Sequence, residues 1–446
     1  MNTPILDFVR DYQQSDTLRF HMPGHKGRLF LGMESMDITE IPGADSLFHA
    51  EGIIAKSEQN ASKLFGSHCF YSTEGSSLCI RAMLYLCTLH ARSQGRPPVI
   101  AAGRNAHKVL LSAAALLDFD LQWIYPSSQT SYLSCKITPE ELEEYLSSAS
   151  PLPTAIYITS PDYLGNMVDL QGISSVCKRY KLLLAVDNAH GSYLKFLSPS
   201  QHPMDLGADI CCDSAHKTLP ALTGGAYLHI SPKAPSLLQD HAKQALSLFA
   251  STSPSYLILE SLDAVNHYLS GNYGARLAHF ITQANQNRTR LEIHGFHFIG
   301  DEPLKWTIHC KSYGYYGTEI ADYLSSNGII CEFYDPDYLV LMLTPEIGCE
   351  EFEKLVDVLL DLPRRLPILR QPPLPIASSA VISPRTATFS LSEDLSIEDA
   401  EGRILADPSV GCPPAVPIAV CGERITSEAV EAFRYYGITH CRVCIE

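Results

Sequence analysis

A lysine follows a short apolar run in the segment DSAHKT at residues 213–218. We expect residues 209–213 to form a buried strand, which places Lys217 just beyond the strand's carboxyl end, where ligands bind in parallel sheets. A partly desolvated amine at such a position has a lowered pKa and can attack a carbonyl carbon. Ser214 and His216 beside it offer donors that suit a phosphate. The ordinary alternative is a lysine exposed at the end of a strand.

An aspartate occupies a similar position in the segment LLAVDNAHG at residues 183–191. The carboxylate of Asp187, at the end of an apolar strand, could hold a pyridine nitrogen protonated and so make the ring an electron sink. A turn or helix N-cap aspartate is the alternative. Lys217 and Asp187 together, at the ends of neighbouring strands, predict pyridoxal 5'-phosphate (PLP) as the cofactor.

Two further segments follow predicted strands. Gly75, Ser76 and Ser77 stand where a helix begins, and backbone N–H groups at a helix N-terminus form an anion site. A serine N-cap without a ligand is the alternative there. His107, in the segment GRNAHK at residues 103–108, could stack on an aromatic cofactor, although a single histidine is usually structural.

Together these segments resemble the ornithine/lysine/arginine decarboxylase family of fold-type I PLP enzymes, in a short form without the N-terminal wing domain. The resemblance covers nearly the whole chain. Its most specific motifs are FHMPGHKG at residues 20–27 and SAHKTLPALT at residues 214–223. Weaker matches are DITE at 37–40, GADSLFHAEG at 43–52, STSPSY at 251–256, GRI at 402–404 and residues 413–423.

The resemblance implies a role for each matching residue. Lys217 would carry the cofactor as a Schiff base, Asp187 would pair with the pyridinium nitrogen, Ala189 would pack under the ring and His107 would stack on its opposite face. The residues implied to hold the phosphate are Gly75, Ser76, Ser77, Ser214 and His216. The segment 251–256 lies at a dimer interface in the family, which implies at least a homodimer.

The chain departs from the family pattern near these residues. Asn188 stands where the family usually has glutamate, and Asp162 where it usually has threonine. Further departures are Cys79, Ile80, Ala415 and Cys421. Because Lys217, Asp187 and His107 are all present, cofactor binding should survive, but an extra carboxylate at Asp162 could alter the substrate preference.

The resemblance implies decarboxylation of a basic amino acid to its amine, with arginine slightly favoured over lysine and ornithine. Acidic residues that could bind the distal amine or guanidinium are Asp45, Glu51, Glu74 and Asp162. One alternative is another PLP reaction on the same fold, such as transamination or an aldolase-like cleavage. Another is a catalytically silent PLP-binding relative.

The elements that must position these residues alternate between helices and short apolar strands. We predict helices at 6–12, 53–65 and 77–91, and strands at 68–72, 98–102, 121–125, 155–159, 182–186, 209–213 and 224–230. Strands that are apolar on both faces indicate a mostly parallel sheet flanked by helices. This is an α/β fold of the aspartate-aminotransferase type (PLP fold type I).

Changes in composition and in the pattern of predicted elements along the chain predict four regions. Residues 1–45 form an N-terminal arm, 46–265 the large PLP-binding domain, 266–362 a smaller α/β domain, and 363–446 a proline-rich linker with a C-terminal subdomain. The small domain should hold strands at 305–311, 329–333 and 338–343 and helices at 318–326 and 350–360. A further helix is predicted at 427–435.

The bulk composition excludes several classes of function. The net charge of −16, without a Lys/Arg-rich run, argues against nucleic-acid binding. No apolar run approaches the roughly 20 residues that span a bilayer, and no secretory signal is visible. We therefore expect a cytoplasmic protein whose 14 cysteines are reduced. We predict no metal site, since Cys441 and Cys444 lack a second pair of ligands.

Overall fold

The computed structural model describes residues 1–127, 131–375, 380–412 and 416–445. Its helices are α1 (Pro4–Gln14), α2 (Ile53–Phe65), α3 (Gly75–Ser93), α4 (Val109–Leu117), α5 (Pro139–Ser148), α6 (Leu170–Tyr180), α7 (Pro203–Leu206), α8 (Ala215–Thr218), α9 (Ser236–Asp240), α10 (Ala242–Ser247), α11 (Tyr256–Leu269), α12 (Tyr273–His294), α13 (Gly317–Ser326), α14 (Cys349–Leu360), α15 (Pro384–Thr388) and α16 (Ser427–Tyr435). Short 3-10 helices span Leu47–His49, Ser192–Phe196 and Cys310–Tyr313.

The strands alternate with these helices through most of the chain. They are β1 (His68–Ser72), β2 (Val99–Gly103), β3 (Asp120–Ile124), β4 (Ala155–Thr159), β5 (Leu183–Asp187), β6 (Ile210–Asp213), β7 (Ala226–Ile230), β8 (Phe298–Ile299), β9 (Lys305–His309), β10 (Phe333–Tyr334), β11 (Tyr338–Met342), β12 (Ser392–Ser396), β13 (Ser409–Cys412), β14 (Val416–Val420) and β15 (His440–Cys444). The main sheet contains seven of them, β1 to β7.

The chain divides into two compact units, residues 1–96 with 177–276, and residues 97–176 with 277–446. In the first unit the strand order is β1-β7-β6-β5. Strands β5 and β6 are parallel, whereas β7 is antiparallel to both β6 and β1. Every residue of β5, β6 and β7 is buried, and α3 packs against β6 and β7. The strands are therefore covered as the apolar runs in the sequence predict.

The second unit holds the other three strands of the main sheet in the order β4-β2-β3, all parallel to one another. It also holds an antiparallel sheet of order β10-β11-β9-β8. Two strand pairs, β12 with β15 and β13 with β14, lie in the C-terminal segment. Phe433 and Val443 of this segment share a core with Tyr132 and Phe333 of the same unit.

Most predicted elements are confirmed, and the strand predicted at 329–333 is largely wrong. Only Phe333 of that range is in a strand, the two-residue β10. The apolar side chain of Ile330 is exposed, so its hydrophobicity does not report a buried strand. Residues 413–415, which carry part of the C-terminal motif, lie outside the described residues.

Candidate active site

The carboxyl end of β5 places Asp187 in a buried position. Asp187 pairs in register with Cys212 of the parallel neighbour β6, so both strands end at the same edge. Only 3% of the Asp187 side chain is exposed. Its Oδ1 accepts hydrogen bonds from the Ala189 N–H (3.2 Å) and from the Cys212 thiol (3.6 Å). The carboxylate is thus fixed by its own turn and by the adjacent strand.

Lys217 follows β6 on α8, a helix of only four residues. Its ammonium Nζ lies 3.1 Å from Nε2 of His190, 27 residues earlier in the chain. His190 is itself buried and stands three residues after Asp187. The fold therefore brings the half-buried amine of Lys217 against the imidazole of His190. The buried carboxylate of Asp187 lies on the same turn as that imidazole.

The sequence analysis did not assign a role to His190. The residue stands in the same LLAVDNAHG segment as Asp187, at the carboxyl end of a predicted strand. That position was the available signal, because side chains after neighbouring parallel strands meet at one edge of the sheet. The direct contact with Lys217 becomes visible only in the three-dimensional structure.

The start of α3 is where the sequence predicts an anion site. Gly75 begins this 19-residue helix with a φ of 70°, a left-handed conformation that favours glycine. The Ser214 hydroxyl donates to Ser76 Oγ at 2.7 Å, although the two residues are 138 positions apart. A Cβ placed on Gly75 would lie 3.9 Å from the His216 ring. Gly75, Ser76, Ser214 and His216 are therefore gathered at one helix N-terminus, with the half-buried Ser77 next in the helix.

The hydrogen bonding of His216 defines its protonation. Its Nδ1 donates to the Gly225 carbonyl oxygen at 3.0 Å, so Nε2 is the acceptor in the neutral ring. Burial lowers the pKa of His216, and the positive charge of Lys217 lowers it further. The neutral ring can therefore accept a hydrogen bond through Nε2, and it can donate through Nε2 only when it is protonated.

His107 belongs to the second unit, between β2 and α4. Its Nδ1 accepts a hydrogen bond from the Val109 N–H at 3.3 Å, which ties the ring to the start of α4. Its predicted stacking on a cofactor ring stays a prediction.

Asp45, one of the acidic residues considered for substrate binding, is engaged with the backbone in the first unit. Its carboxylate accepts from the N–H groups of Ser46, Glu51, Gly52 and Ile54 at 2.8–3.0 Å. Burial would raise the pKa of Asp45, but these hydrogen bonds hold it below its ordinary value. Asp45 therefore stabilises the start of α2.

Asp162 has a comparable role in the second unit. Its Oδ1 accepts from the N–H groups of Leu164 (2.9 Å) and Asn166 (2.8 Å), and the Asn166 side-chain amide donates to both carboxylate oxygens. Burial raises the pKa of Asp162 despite these hydrogen bonds. Asp162, which departs from the family pattern, thus uses its carboxylate to stabilise the turn that follows it.

Of the other two acidic residues, Glu74 uses Oε1 to accept from the Ser251 N–H at 2.7 Å. This contact ties the segment at 251–256 to the residue that precedes α3. Glu51 is exposed. These contacts do not identify any of the four acidic residues as the one that would bind the substrate's distal amine or guanidinium.

The fold and these residues define an α/β enzyme in which a lysine amine and a buried carboxylate follow neighbouring parallel strands, near the hydroxyls of Ser76 and Ser214. Residues 3–303 match the family model described as "Orn/Lys/Arg decarboxylase, major domain". The chain belongs to this family, as its motifs predict, and the prediction of an amino-acid decarboxylase is confirmed.

The chain is also similar to curated relatives over nearly its full length. It is 29% identical to the arginine decarboxylase of Bacillus subtilis (strain 168), over 96% of this chain and 92% of that protein. It is 28% identical to the arginine decarboxylase of Halalkalibacterium halodurans, over 97% of this chain and 93% of that protein.

The fold is shared with solved structures. The constitutive lysine decarboxylase of Escherichia coli superimposes with a TM-score of 0.79 at 18% sequence identity, covering all of this chain and 82% of that one. This similarity confirms the predicted aspartate-aminotransferase-like α/β fold. Within the described residues, no helix has both the length and the apolarity that a membrane span requires.

Proposed function

We propose that this chain is a PLP-dependent decarboxylase of a basic amino acid, with arginine favoured over lysine and ornithine. The observation that carries the proposal is the convergence of Lys217, His190 and the Asp187 turn at one edge of the sheet. The motifs around these residues are those of the family to which the chain belongs.

The chemistry of the residues present fits PLP. An aldehyde needs an amine, which Lys217 supplies, and a pyridine nitrogen needs a buried carboxylate, which Asp187 supplies. A phosphate needs hydroxyls and a helix N-terminus, which Ser76, Ser214 and α3 supply. Thr218 adds a buried hydroxyl that finds no hydrogen-bond partner among the described residues.

Each residue then has a distinct task. When bound, PLP supplies an electron sink for the pair released as the bond between Cα and the carboxylate breaks. Lys217 binds the aldehyde carbon through Nζ, and Asp187 holds a proton at the pyridine nitrogen. His190 Nε2 lies close enough to Lys217 Nζ to hold or move a proton there. In this proposal Ala189 would pack against one face of the cofactor and His107 would stack on the other.

The substrate proposal draws on the curated relatives. Two relatives that match this chain over more than 90% of both lengths are named arginine decarboxylases. The net charge of −16 would concentrate a cationic substrate weakly around the protein. Lysine and ornithine remain candidate substrates after arginine, because they also carry a positive charge at the end of the side chain.

The proposal is tested by measuring CO2 release from arginine, lysine and ornithine with added PLP, together with the identity of the product. We expect CO2 and the corresponding amine, fastest from arginine. A keto acid in place of the amine would indicate transamination and contradict the proposal. Absence of turnover with all three amino acids would contradict it as well.

The Lys217→Ala variant tests the assignment of the lysine. Removing the amine should abolish both turnover and the visible absorbance of protein-bound PLP, because the covalent attachment is lost. The matched control is Lys233→Ala, which removes an exposed lysine of the same unit and should change neither. A Lys217→Ala protein that keeps its absorbance and activity would overturn the assignment.

We also propose that the chain forms a homodimer through its N-terminal arm. Between residues 18 and 33 the arm exposes the side chains of Leu18, Phe20, Met22, Leu29, Phe30, Leu31 and Met33. Monomeric proteins rarely expose so many large apolar side chains in one short segment. A second copy of the chain would remove them from water.

A further inference from the structure

A cluster of fully buried polar side chains lies at the ends of β5 and β6. Asn188, His202, Asp213 and His229 are each 0% exposed. The Asn188 amide Nδ2 donates to Asp213 Oδ1 at 2.7 Å. His202 Nε2 lies 3.0 Å from Asp213 Oδ2, and His229 Nε2 lies 3.3 Å from the same oxygen. Asp213 is therefore the centre of the cluster.

The protonation of the cluster follows from its hydrogen bonds. His202 Nδ1 accepts from the Met204 N–H at 3.3 Å, so the proton of the neutral ring is on Nε2 and is donated to Asp213. Burial alone would raise the pKa of Asp213, but His202 and His229 hold it well below its ordinary value. Burial lowers the pKa of His229, although Asp213 opposes this. The centre is thus a buried carboxylate that accepts from the Asn188 amide and the His202 ring, with the His229 ring beside it.

The same geometry argues against a metal ion in the cluster. Cys211, His202 and Asp213 lie close enough together to ligate one ion. A ligating histidine must offer a lone pair to the metal. The Met204 N–H keeps the lone pair of His202 on Nδ1, so its Nε2 faces Asp213 with a proton.

Asp213 connects the two turns that carry the proposed cofactor residues. Its partner Asn188 directly follows Asp187, and the Asn188 N–H donates to the Cys212 carbonyl oxygen at 3.0 Å. On its other side Asp213 directly precedes Ser214, which donates to Ser76, and stands four residues before Lys217. A change at Asp213 therefore affects the Asp187 turn through the hydrogen bond to Asn188, and the Lys217 turn through the peptide bond to Ser214.

We propose that Asp213 is a positioning residue of the PLP site, whose buried carboxylate holds the Asp187 turn in place relative to the Lys217 turn. The proposal rests on the proposed function, because the distance between carboxylate and amine matters only if one ligand bridges them. Asp213 itself does not contact the cofactor in this proposal. It acts through Asn188 on one strand and through Ser214 on the other.

The experiment compares Asp213→Asn with the control Asp209→Asn. Asp209 Oδ2 accepts from the Leu184 N–H at 2.8 Å, so it links the same two strands at their opposite end. Both variants remove one carboxylate and alter the volume equally. The measurements are the dissociation constant of PLP, the pH titration of the visible absorbance at saturating PLP, and the melting temperature without PLP.

We expect Asp213→Asn to weaken PLP binding on the order of 10- to 100-fold, by analogy with residues that orient the ligands of metal sites. An asparagine replaces one of the two acceptor oxygens by an NH2 group, which would face either the Asn188 amide or the His202 Nε2–H and leave two donors opposed. The midpoint of the pH titration should shift in Asp213→Asn and stay unchanged in Asp209→Asn. Asn188→Ala, which leaves the carboxylate in place, should show the same changes, and the double variant should be less than additive.

Equal effects of Asp213→Asn and Asp209→Asn on binding and titration would overturn the inference and leave the proposed function intact. If Asp213→Asn does not fold, Asn188→Ala decides, and an unchanged titration midpoint there would overturn the inference as well. A wild-type protein that shows no visible absorbance with PLP would contradict the proposed function, and this inference with it.

Discussion

At the scale of single residues, the candidate site contains a hydrogen-bonded pair between which a proton could move. Lys217 Nζ and His190 Nε2 are 3.1 Å apart, a hydrogen-bond distance. A lysine ammonium has no acceptor, so the imidazole lone pair must face it, and a neutral amine could accept from a protonated ring instead. The pair can therefore exchange a proton without solvent, which is what binding and release of an aldehyde at Nζ require.

Replacement of His190 by phenylalanine tests this pairing. The variant keeps an aromatic ring but loses both nitrogens, so we expect kcat for CO2 release to fall on the order of 100-fold or more, as for loss of a general acid–base group. The visible absorbance of bound PLP should remain, because Lys217 is unchanged.

The matched control for that variant is His68→Phe, a half-buried histidine on β1 of the same unit. Its kcat should match that of the wild-type protein. A His190→Phe protein with unchanged kcat across the pH range would rule out the proton-exchange role.

At the scale of elements, a buried carboxylate fastens the first helix of the arm. The N–H groups of Ile5 (2.9 Å) and Leu6 (3.1 Å), in the first turn of α1, donate to Asp263 Oδ2 of α11. The Ser57 hydroxyl donates to the other oxygen of Asp263. An anion at a helix N-terminus is stabilised by unpaired N–H groups and by the helix dipole. Helix α1 is therefore held by a residue 258 positions away along the chain.

Glu260, one turn before Asp263, makes the stability of this region depend on pH. Burial, together with the negative charges of Asp37 and Asp263, raises the pKa of Glu260 to about 8, although Arg10 opposes the shift. Neither of its oxygens has a hydrogen-bond partner among the described residues. The folded state thus keeps a proton that the unfolded chain has lost, so the free energy of unfolding falls as pH rises from the ordinary glutamate range to about 8.

Glu260→Gln should remove this dependence, because glutamine does not titrate. We expect the variant to melt at a higher temperature than the wild-type protein at pH 9, with the difference shrinking toward pH 5. Thermal unfolding at pH 5, 7 and 9 measures it, with the exposed Glu401→Gln as the control. A constant difference between wild type and Glu260→Gln across this range would contradict the assignment.

At the scale of the whole molecule, the arm between residues 18 and 33 is the segment that a second copy would cover. Phe20 is 91% exposed and Leu31 is 88% exposed. Because α1 is fastened to α11, the start of the arm is fixed within its own chain. The residues that follow α1 then present their apolar side chains outward, as an interface between protomers requires.

The double variant Phe20→Ser with Leu31→Ser tests this proposal. We expect sedimentation equilibrium to show a wild-type dimer and a larger monomer fraction in the variant, since about 25 cal/mol is lost for each Å² of apolar area that no longer becomes buried. Leu366→Ser with Leu369→Ser, which changes two leucines of the other unit that are 89% and 83% exposed, should leave the mass unchanged. A wild-type monomer would contradict the proposal.

The sequence by itself determined most of the helices and strands, and it predicted the residues that would carry the chemistry. Alternating apolar strands and amphipathic helices are local patterns, and Lys217, Asp187 and Ser76 each stand beside a predicted element. Their motifs also indicated the family before any contact was known. The strand predicted at 329–333 failed because exposed apolar residues such as Ile330 give the same pattern as buried ones.

Only the tertiary structure decided which side chains meet and which carboxylates are already engaged. The contacts of Ser76 with Ser214, His190 with Lys217 and Asn188 with Asp213 join residues 138, 27 and 25 positions apart. Whether a hydrogen bond forms depends on differences of a few tenths of an ångström in the distance between two atoms, and no local sequence pattern encodes such differences. For the same reason, Asp45 and Asp162 could be recognised as backbone caps only after the surrounding N–H groups were located.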